Sequence, residues 1–185
     1  MSTTTKTKNI WREWEIEAWR LPERITVSEW ADKHRMLDHR TSAEAGPWRT
    51  ARAPYLREIM DSFADPDCEE ITIMASTQVG KTETEMNMIG FLIDQDPGPT
   101  LFVLPTEDIA RSISVNRIRP MLEISPALVE HLPRNMDDMT MLEMRLNQMA
   151  LYLAGANSPA GLASKPIRNL FFDEADKFPR FAGKE

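Results

Sequence analysis

The residues best suited to chemistry form one short run, Ala75-Ser76-Thr77-Gln78-Val79-Gly80-Lys81-Thr82. Its pattern is a small residue, four variable residues and then Gly-Lys-Thr, which is the spacing of a phosphate-binding loop. Gly80 lets backbone N–H groups approach phosphate oxygens closely, at the positive end of a helix dipole. Lys81 is placed to reach the β- and γ-phosphates, and Thr82 to offer its hydroxyl to Mg²⁺. The run therefore predicts a site for ATP and Mg²⁺, with Ala75 where glycine is commoner.

A second pattern, Leu170-Phe171-Phe172-Asp173-Glu174, places two carboxylates after an apolar triplet. This is the form of a Walker B segment, in which Asp173 completes the Mg²⁺ shell and Glu174 orients and deprotonates the attacking water. By itself an Asp-Glu pair is more often a solvated strand end. Together with the phosphate-binding loop it predicts hydrolysis, because small-molecule kinases need no water-activating carboxylate there.

An ATPase also needs an aromatic partner for adenine and a cation at the γ-phosphate, and the sequence offers more than one candidate for each. Trp48 and Tyr55 precede the loop and are aromatic partners for adenine, although packing of Tyr55 on the core is an equal alternative. The transition state also needs a cation at the γ-phosphate, and the loop contains no arginine. Arg111, Arg117 and Arg119 are candidates within the chain, and a neighbouring subunit is the alternative source.

Composition restricts the class of protein. The chain has 185 residues, 42% of them hydrophobic and 28% charged, which suits one soluble α/β domain. No apolar run approaches the ~20 residues that span a bilayer, and Met1 to Asn9 has no apolar region typical of a secretory signal. We therefore expect a cytoplasmic protein with no membrane partner. The net charge of −7 argues against a broad basic face and against tight autonomous DNA binding.

The elements that must position these residues alternate between strands and helices. Glu70 to Met74 is short, apolar and β-branched, which predicts a buried parallel strand leading into the loop. A helix from about Gly80 to Ile93, a second buried strand from Thr100 to Leu104 and a helix from Thr106 to Arg119 follow. This order predicts a parallel sheet with right-handed crossovers.

The flanking regions carry further helical and hairpin patterns. Ile10 to Leu21 predicts an amphipathic helix, and Thr26 to Glu29 is a capping box that opens a helix through about His34, anchored by Trp30. Four of the five tryptophans lie in the first thirty residues, which favours core packing over an interface with another subunit. The remaining predicted elements are a polar connection over Asp38 to Pro47, a helix over Ala53 to Phe63 with Tyr55, Ile59 and Phe63 on one face, a short helix over Ser125 to Leu132, and a hairpin joining Leu142 to Leu146 with Ala150 to Ala154.

With these motifs placed, the chain resembles the lambda-type (GpA-like) family of phage terminase large subunits, ATP-driven motors that cut concatemeric viral DNA and pump it into an empty procapsid. The resembling stretches are Ile25 to Ala31 with Arg35, Gly46-Pro47-Trp48-Arg49 through Pro54-Tyr55, Met74 to Glu83, Leu104-Pro105-Thr106, and Gly155 to Leu162 into Asp173-Glu174-Ala175-Asp176. Several motifs in this order are more specific than a generic ATPase pattern.

The resemblance implies an ASCE-type P-loop NTPase fold, with a mainly parallel sheet flanked by helices and incomplete at the C-terminal end. Residues 1–45 would form an N-terminal tail and helical segment that can dock a partner, and residues 46–185 a partial ATPase domain. It also implies that Lys81, Thr82, Asp173 and Glu174 hold and hydrolyse ATP. Because family members are several times longer, we expect a truncated chain that need not hydrolyse ATP alone.

The partners that the resemblance implies are double-stranded viral DNA, a small DNA-recognising terminase subunit and the portal of the procapsid. The full-length motor would be a homo-oligomer in the host cytoplasm. Two alternatives stay open. Asp173-Glu174-Ala175-Asp176 also suits a superfamily 2 helicase, and a Trp-rich N-terminus also suits a non-catalytic assembly module that binds a partner.

Overall fold

The computed structural model describes residues 11–12, 15, 25–40, 42, 44–158, 162–163 and 165–179. The helix predicted over Ile10 to Leu21 lies, apart from three single positions, outside these residues. The division between residues 45 and 46 stays a prediction.

In the described part of the chain, six strands form two sheets. They are β1 (Met36–Leu37), β2 (Gly46–Pro47), β3 (Thr100–Leu104), β4 (Glu143–Arg145), β5 (Ala150–Gly155) and β6 (Asn169–Phe172). The first two form a small antiparallel ladder, and the other four form one sheet in the order β4-β5-β3-β6. Strand β3 is parallel to both β5 and β6, and β4 is antiparallel to β5. The expected mainly parallel sheet is therefore confirmed.

Among the residues that the structure describes, six α-helices accompany these strands. They are α1 (Val27–His34), α2 (Arg57–Ser62), α3 (Lys81–Gln95), α4 (Glu107–Ile113), α5 (Arg119–Ile124) and α6 (Pro126–Val129), with a π-helical segment (Ser114–Ile118) between α4 and α5. In the described part of the chain no helix is long and apolar enough to cross a bilayer. The result is a mixed α/β arrangement in which helices flank a mainly parallel sheet.

The larger core lies between α3 and one face of the sheet. Helix α3 buries ten consecutive residues, from Thr84 to Ile93, against strand residues such as Phe102 and Phe171, whose rings meet edge to face. Trp30 of α1 is fully buried in the same core. Core packing of this tryptophan is therefore confirmed. A smaller apolar cluster around Leu101 and Val103 lies on the opposite face of the sheet.

Local signals located several elements correctly. Thr26 caps α1 and exchanges hydrogen bonds with Glu29 in the expected capping box, and Thr106 caps α4. The predicted hairpin forms between β4 and β5, with Glu143 opposite Tyr152. These signals depend on residues close together in sequence, which is why the sequence reveals them.

The strand predicted over Glu70 to Met74 is wrong. These residues form no ladder with any described strand, and the side chain of Met74 is 98% exposed. A β-branched apolar run becomes a strand only when a neighbouring strand takes its backbone hydrogen bonds. The segment that leads into the phosphate-binding loop is therefore irregular.

The region before this segment also differs from prediction. Asp38 to Pro47 is not wholly a connection, because Gly46–Pro47 pairs with Met36–Leu37. The predicted single helix over Ala53 to Phe63 begins as a 3-10 turn, Pro54–Leu56, before α2. That tighter turn shifts the buried face by one residue, so Leu56 and Met60 are buried and Tyr55 is exposed.

Candidate functional site

The run Ala75 to Thr82 forms a turn that leads directly into α3, which begins at Lys81. Gly80 has a φ of 88°, in the left-handed region that glycine adopts freely. A Cβ at this position would also lie 3.1 Å from Leu56 Cδ1. Gln78 has a φ of 59°, which is uncommon for a residue with a side chain. Residues with such uncommon backbone angles are frequent at functional sites. The backbone turns sharply ahead of a helix N-terminus, as phosphate binding requires.

The ammonium group of Lys81 lies over the loop itself. Its Nζ donates hydrogen bonds to the carbonyl oxygens of Ala75, at 3.1 Å, and Ser76, at 2.9 Å. The lysine side chain thereby links the end of the loop to the backbone at its beginning. A phosphate bound inside this turn would meet the ammonium group at the rim of the loop.

The structure brings together Thr82 and Asp173, which the sequence predicted as the two magnesium ligands. The Thr82 hydroxyl donates to Asp173 Oδ2 across 3.0 Å. Asp173 follows β6, is 6% exposed, and its backbone N–H donates to the carbonyl of Val103 on β3 at 3.1 Å. The carboxylate is therefore fixed by the sheet, directly opposite the first turn of α3.

These two oxygens suit Mg²⁺. The ion prefers hard oxygen ligands and is usually held by one or two protein groups together with substrate phosphates and water. No cluster of three or more His, Cys, Asp or Glu side chains suited to a metal occurs among the residues described. The donors present thus fit a metal that binds together with a nucleotide better than a permanent structural metal.

Glu174 follows Asp173 in the chain, but its side chain contacts Lys177 and not Thr82. Its backbone is left-handed, with a φ of 51°, and its carboxylate pairs with Lys177 across 2.8 Å. This side chain is partly exposed, so the ion pair is weak and easily exchanged. Glu174 is at the site but is not hydrogen-bonded to Thr82 or Lys81 in this conformation.

Sequence reasoning missed a third carboxylate, Glu85. It lies one helical turn after Lys81, is 8% exposed, and its Oε2 has no hydrogen-bond partner. Burial and, to a smaller extent, the charges of Asp173 and Glu174 together raise the pKa of Glu85 to about 8, and the charge of Lys81 opposes this rise. The only signal in the sequence was its spacing of four from Lys81, which places both side chains on one helix face.

The two aromatic candidates are placed very differently. Trp48 is buried in the core, and its indole N–H donates to Thr50 Oγ1 at 3.1 Å. Tyr55 is 60% exposed, and its hydroxyl donates to the carbonyl of Val79 in the loop at 3.1 Å. Of these two rings, Tyr55 is the one that lies exposed beside the loop.

The three arginine candidates all have partners. Arg111 pairs with Glu107 on the same helix, and Arg119 donates to the carbonyl of Met139. Arg117 pairs across 2.7 Å with Glu83, the residue that follows Thr82. Arg117 is therefore the candidate tied most directly to the loop helix.

Comparison with known proteins identifies the family of the chain. Residues 42–185 match the family described as "Phage terminase large subunit gpA, ATPase domain". The chain is also similar to the "Terminase, large subunit" of Enterobacteria phage P21, with 22% identity over 169 residues. That alignment covers 89% of this chain and 26% of the relative, so the chain spans about a quarter of the length of the curated relative that it matches.

Proposed function

The chain belongs to the family of phage terminase large subunit ATPase domains, and we propose that it carries the ATP-binding and ATP-hydrolysing site of a motor that packages viral DNA into a procapsid. The observation that carries the proposal is the 3.0 Å hydrogen bond between Thr82 and Asp173. It joins the phosphate-binding loop to the end of β6, which is where a Walker A hydroxyl and a Walker B carboxylate must meet.

The proposed roles follow from position. Backbone N–H groups of the turn from Ala75 to Gly80 would hold the phosphates, and Lys81 would move from the loop carbonyls to the β- and γ-phosphates. Thr82 and Asp173 would hold Mg²⁺. When bound, the ion would neutralise charge on the phosphate oxygens.

Glu174 is proposed as the general base. The oxygen of a water molecule attacks the γ-phosphorus, the bond from that phosphorus to the β,γ-bridging oxygen breaks, and Glu174 accepts the proton of the water. For this role its carboxylate must leave Lys177, which a weak exposed ion pair permits.

The ring of Tyr55 is proposed as the partner for adenine. It lies exposed beside Val79, whereas Trp48 is committed to the core. A P-loop NTPase fold belongs to the same proposal. It is supported by the parallel pairing of β3 with β5 and β6 and by the turn that leads into α3.

The partners of the motor are also proposals. They are double-stranded viral DNA, the small terminase subunit, the portal of the procapsid and further copies of the large subunit, in the cytoplasm of the host. Family membership favours a terminase over a superfamily 2 helicase, an alternative that depended on four residues. The complete burial of Trp30 removes this one tryptophan from any docking surface of a non-catalytic module.

Titration with fluorescent ATP in the presence of Mg²⁺ tests the site. We expect saturable binding to the wild-type chain and its loss in Lys81→Ala, because this substitution removes the ammonium group beside the loop. Lys165→Ala is the matched control, since that ammonium group lies over the ring of Tyr152 instead. Binding that survives Lys81→Ala unchanged, or no saturable binding at all, would refute the proposal.

A further inference from the structure

Glu83, the residue directly after Thr82, is held by two arginines at once. Its Oε2 accepts a hydrogen bond from Arg35 Nη2 at 3.1 Å, and its Oε1 accepts one from Arg117 Nη1 at 2.7 Å. Each carboxylate oxygen therefore has its own guanidinium group, and the side chain is restrained from two sides. Glu83 lies in the first turn of α3, so this restraint acts at the beginning of the loop helix.

Arg35 reaches Glu83 from the end of α1. Its side chain is 5% exposed, and Nη1 donates to the carbonyl of Met36. Its backbone N–H caps α1 by donating to Ala31, and its own carbonyl accepts from Trp48 N–H at 2.9 Å. The backbone of Arg35 is thus fixed by two hydrogen bonds, and its buried guanidinium group is fixed by its contacts with Met36 and Glu83.

Arg117 reaches Glu83 from the other direction, out of the π-helical segment Ser114–Ile118. A π-helical turn contains one residue more than an α-helical turn, and such turns are frequent at functional sites. Removing that extra residue would rotate the following side chains by about 100° and turn Arg117 away from Glu83. The ion pair with Glu83 therefore depends on the π-helical turn.

We propose that Arg35, Glu83 and Arg117 are positioning residues that hold the hydroxyl of Thr82 in place for Mg²⁺. This inference rests on the proposed function. The network fixes the first turn of α3, and so keeps the Thr82 hydroxyl within 3.0 Å of Asp173. The three residues act through Thr82, in the manner of groups that orient metal ligands from outside the coordination shell.

If these three residues position Thr82, their substitution should weaken ATP binding in the presence of Mg²⁺ more than in its absence. Phosphate binding by the loop amides and Lys81 does not need the Thr82 hydroxyl, so nucleotide affinity without metal should change little. The additional affinity that Mg²⁺ provides does depend on that hydroxyl. A loss of folding would lower both affinities together, and the ratio between them separates the two cases.

The experiment titrates fluorescent ATP into the 185-residue chain, once with Mg²⁺ and once with EDTA, and takes the ratio of the two dissociation constants as the magnesium gain. Glu83→Gln and Arg117→Met should lower this gain by about 10-fold, the usual cost of losing a group that orients a metal ligand. Arg117→Lys keeps the charge and should recover part of it. Arg145→Met is the matched control, because Arg145 pairs with Glu143 on its own strand, β4.

The outcomes separate the two proposals. If the wild-type gain persists in Glu83→Gln and Arg117→Met, or if both variants lose affinity equally with and without Mg²⁺, the positioning role is overturned and the nucleotide site stands. If the wild-type chain binds ATP but shows no magnesium gain, the positioning role is overturned. If the wild-type chain shows no saturable binding, or if binding survives Lys81→Ala unchanged, the proposed function fails and the positioning role falls with it.

Discussion

The ring of Trp30 lies so close to Gly90 that a Cβ at position 90 would come within 2.4 Å of Trp30 Cη2. The indole N–H donates to Asp94 Oδ2, one turn further along α3, at 2.7 Å. His131 Nε2 lies 3.1 Å from the other oxygen of Asp94. The glycine thus allows α1 to approach the helix that begins with Lys81, and the contact ties the N-terminal part of the chain to the loop helix.

Gly90→Ala should therefore destabilise the chain, although alanine favours helices. The gain in helix propensity is about 1 kcal/mol, and forcing a methyl group against a buried indole typically costs about 1–3 kcal/mol. We expect a net loss of stability in urea denaturation. In a Trp30→Leu background the same substitution should no longer destabilise, because the ring is gone. Gly98→Ala is the control, since its Cβ would meet the exposed side chain of Arg168 and not a buried ring. A Gly90→Ala chain with wild-type stability would contradict this account of the contact.

Glu85→Gln should flatten the dependence of stability on pH. The pKa of Glu85 in the folded chain is about 8, against 4.5 as its ordinary value. Between these values the folded state binds a proton that the unfolded state has lost. Stability is therefore full below about pH 4.5 and falls as the pH rises to about 8. Removing this carboxyl group should stabilise the chain at pH 8 by on the order of 4 kcal/mol and have little effect at pH 4.

Urea denaturation at several pH values measures this difference. Glu69→Gln is the matched control, because Glu69 is exposed and its replacement should leave the pH profile unchanged. If Glu85→Gln loses stability by the same amount at pH 5 and pH 8, the buried carboxyl group does not titrate as inferred.

The parts of the fold that sequence reasoning predicted are those decided locally. The cap at Thr26 needs only Glu29 three residues later, and the turn at Asn147 needs only the alternation on either side. The strand over Glu70 to Met74 failed for the opposite reason. Its apolar pattern is strand-like, but a strand also needs a neighbour, and the neighbour is not encoded within those five residues.

In the candidate site, too, the sequence indicated the features that depend on local motifs and missed those that depend on distant contacts. The motif spacing indicated Lys81, Thr82 and Asp173, and the structure brings Thr82 and Asp173 together. The motif spacing did not indicate that Glu83 would accept hydrogen bonds from two arginines or that Glu85 would be buried. Charged residues are normally exposed, and their burial depends on which helix face meets distant elements. Only the packing of α3 against the rest of the chain reveals it.

Tyr55→Ala should weaken ATP binding by up to about 10-fold, because a stacked aromatic ring contributes about 0.5–1.5 kcal/mol. Tyr55→Phe keeps the ring but removes the hydroxyl that donates to Val79, and it should retain most of the affinity. Titration with inorganic tripolyphosphate provides the control, since this ligand has the phosphates but no base. Equal losses for ATP and tripolyphosphate in Tyr55→Ala would show that the tyrosine supports the loop and does not contact adenine.

Glu174→Gln should separate binding from turnover. The amide cannot accept the proton of the attacking water, and loss of a general base typically lowers the rate by about 10²- to 10⁴-fold. The Thr82–Asp173 contact does not involve this side chain, so the affinity for ATP with Mg²⁺ should stay within about twofold of wild type. Asp176→Asn is the control, because it removes an exposed carboxylate only two residues away. Phosphate release at saturating ATP measures turnover, and fluorescent ATP measures affinity. A Glu174→Gln chain that releases phosphate at the wild-type rate would remove Glu174 from the role of base, whereas a loss of affinity without a change in rate would place it among the groups that bind the nucleotide.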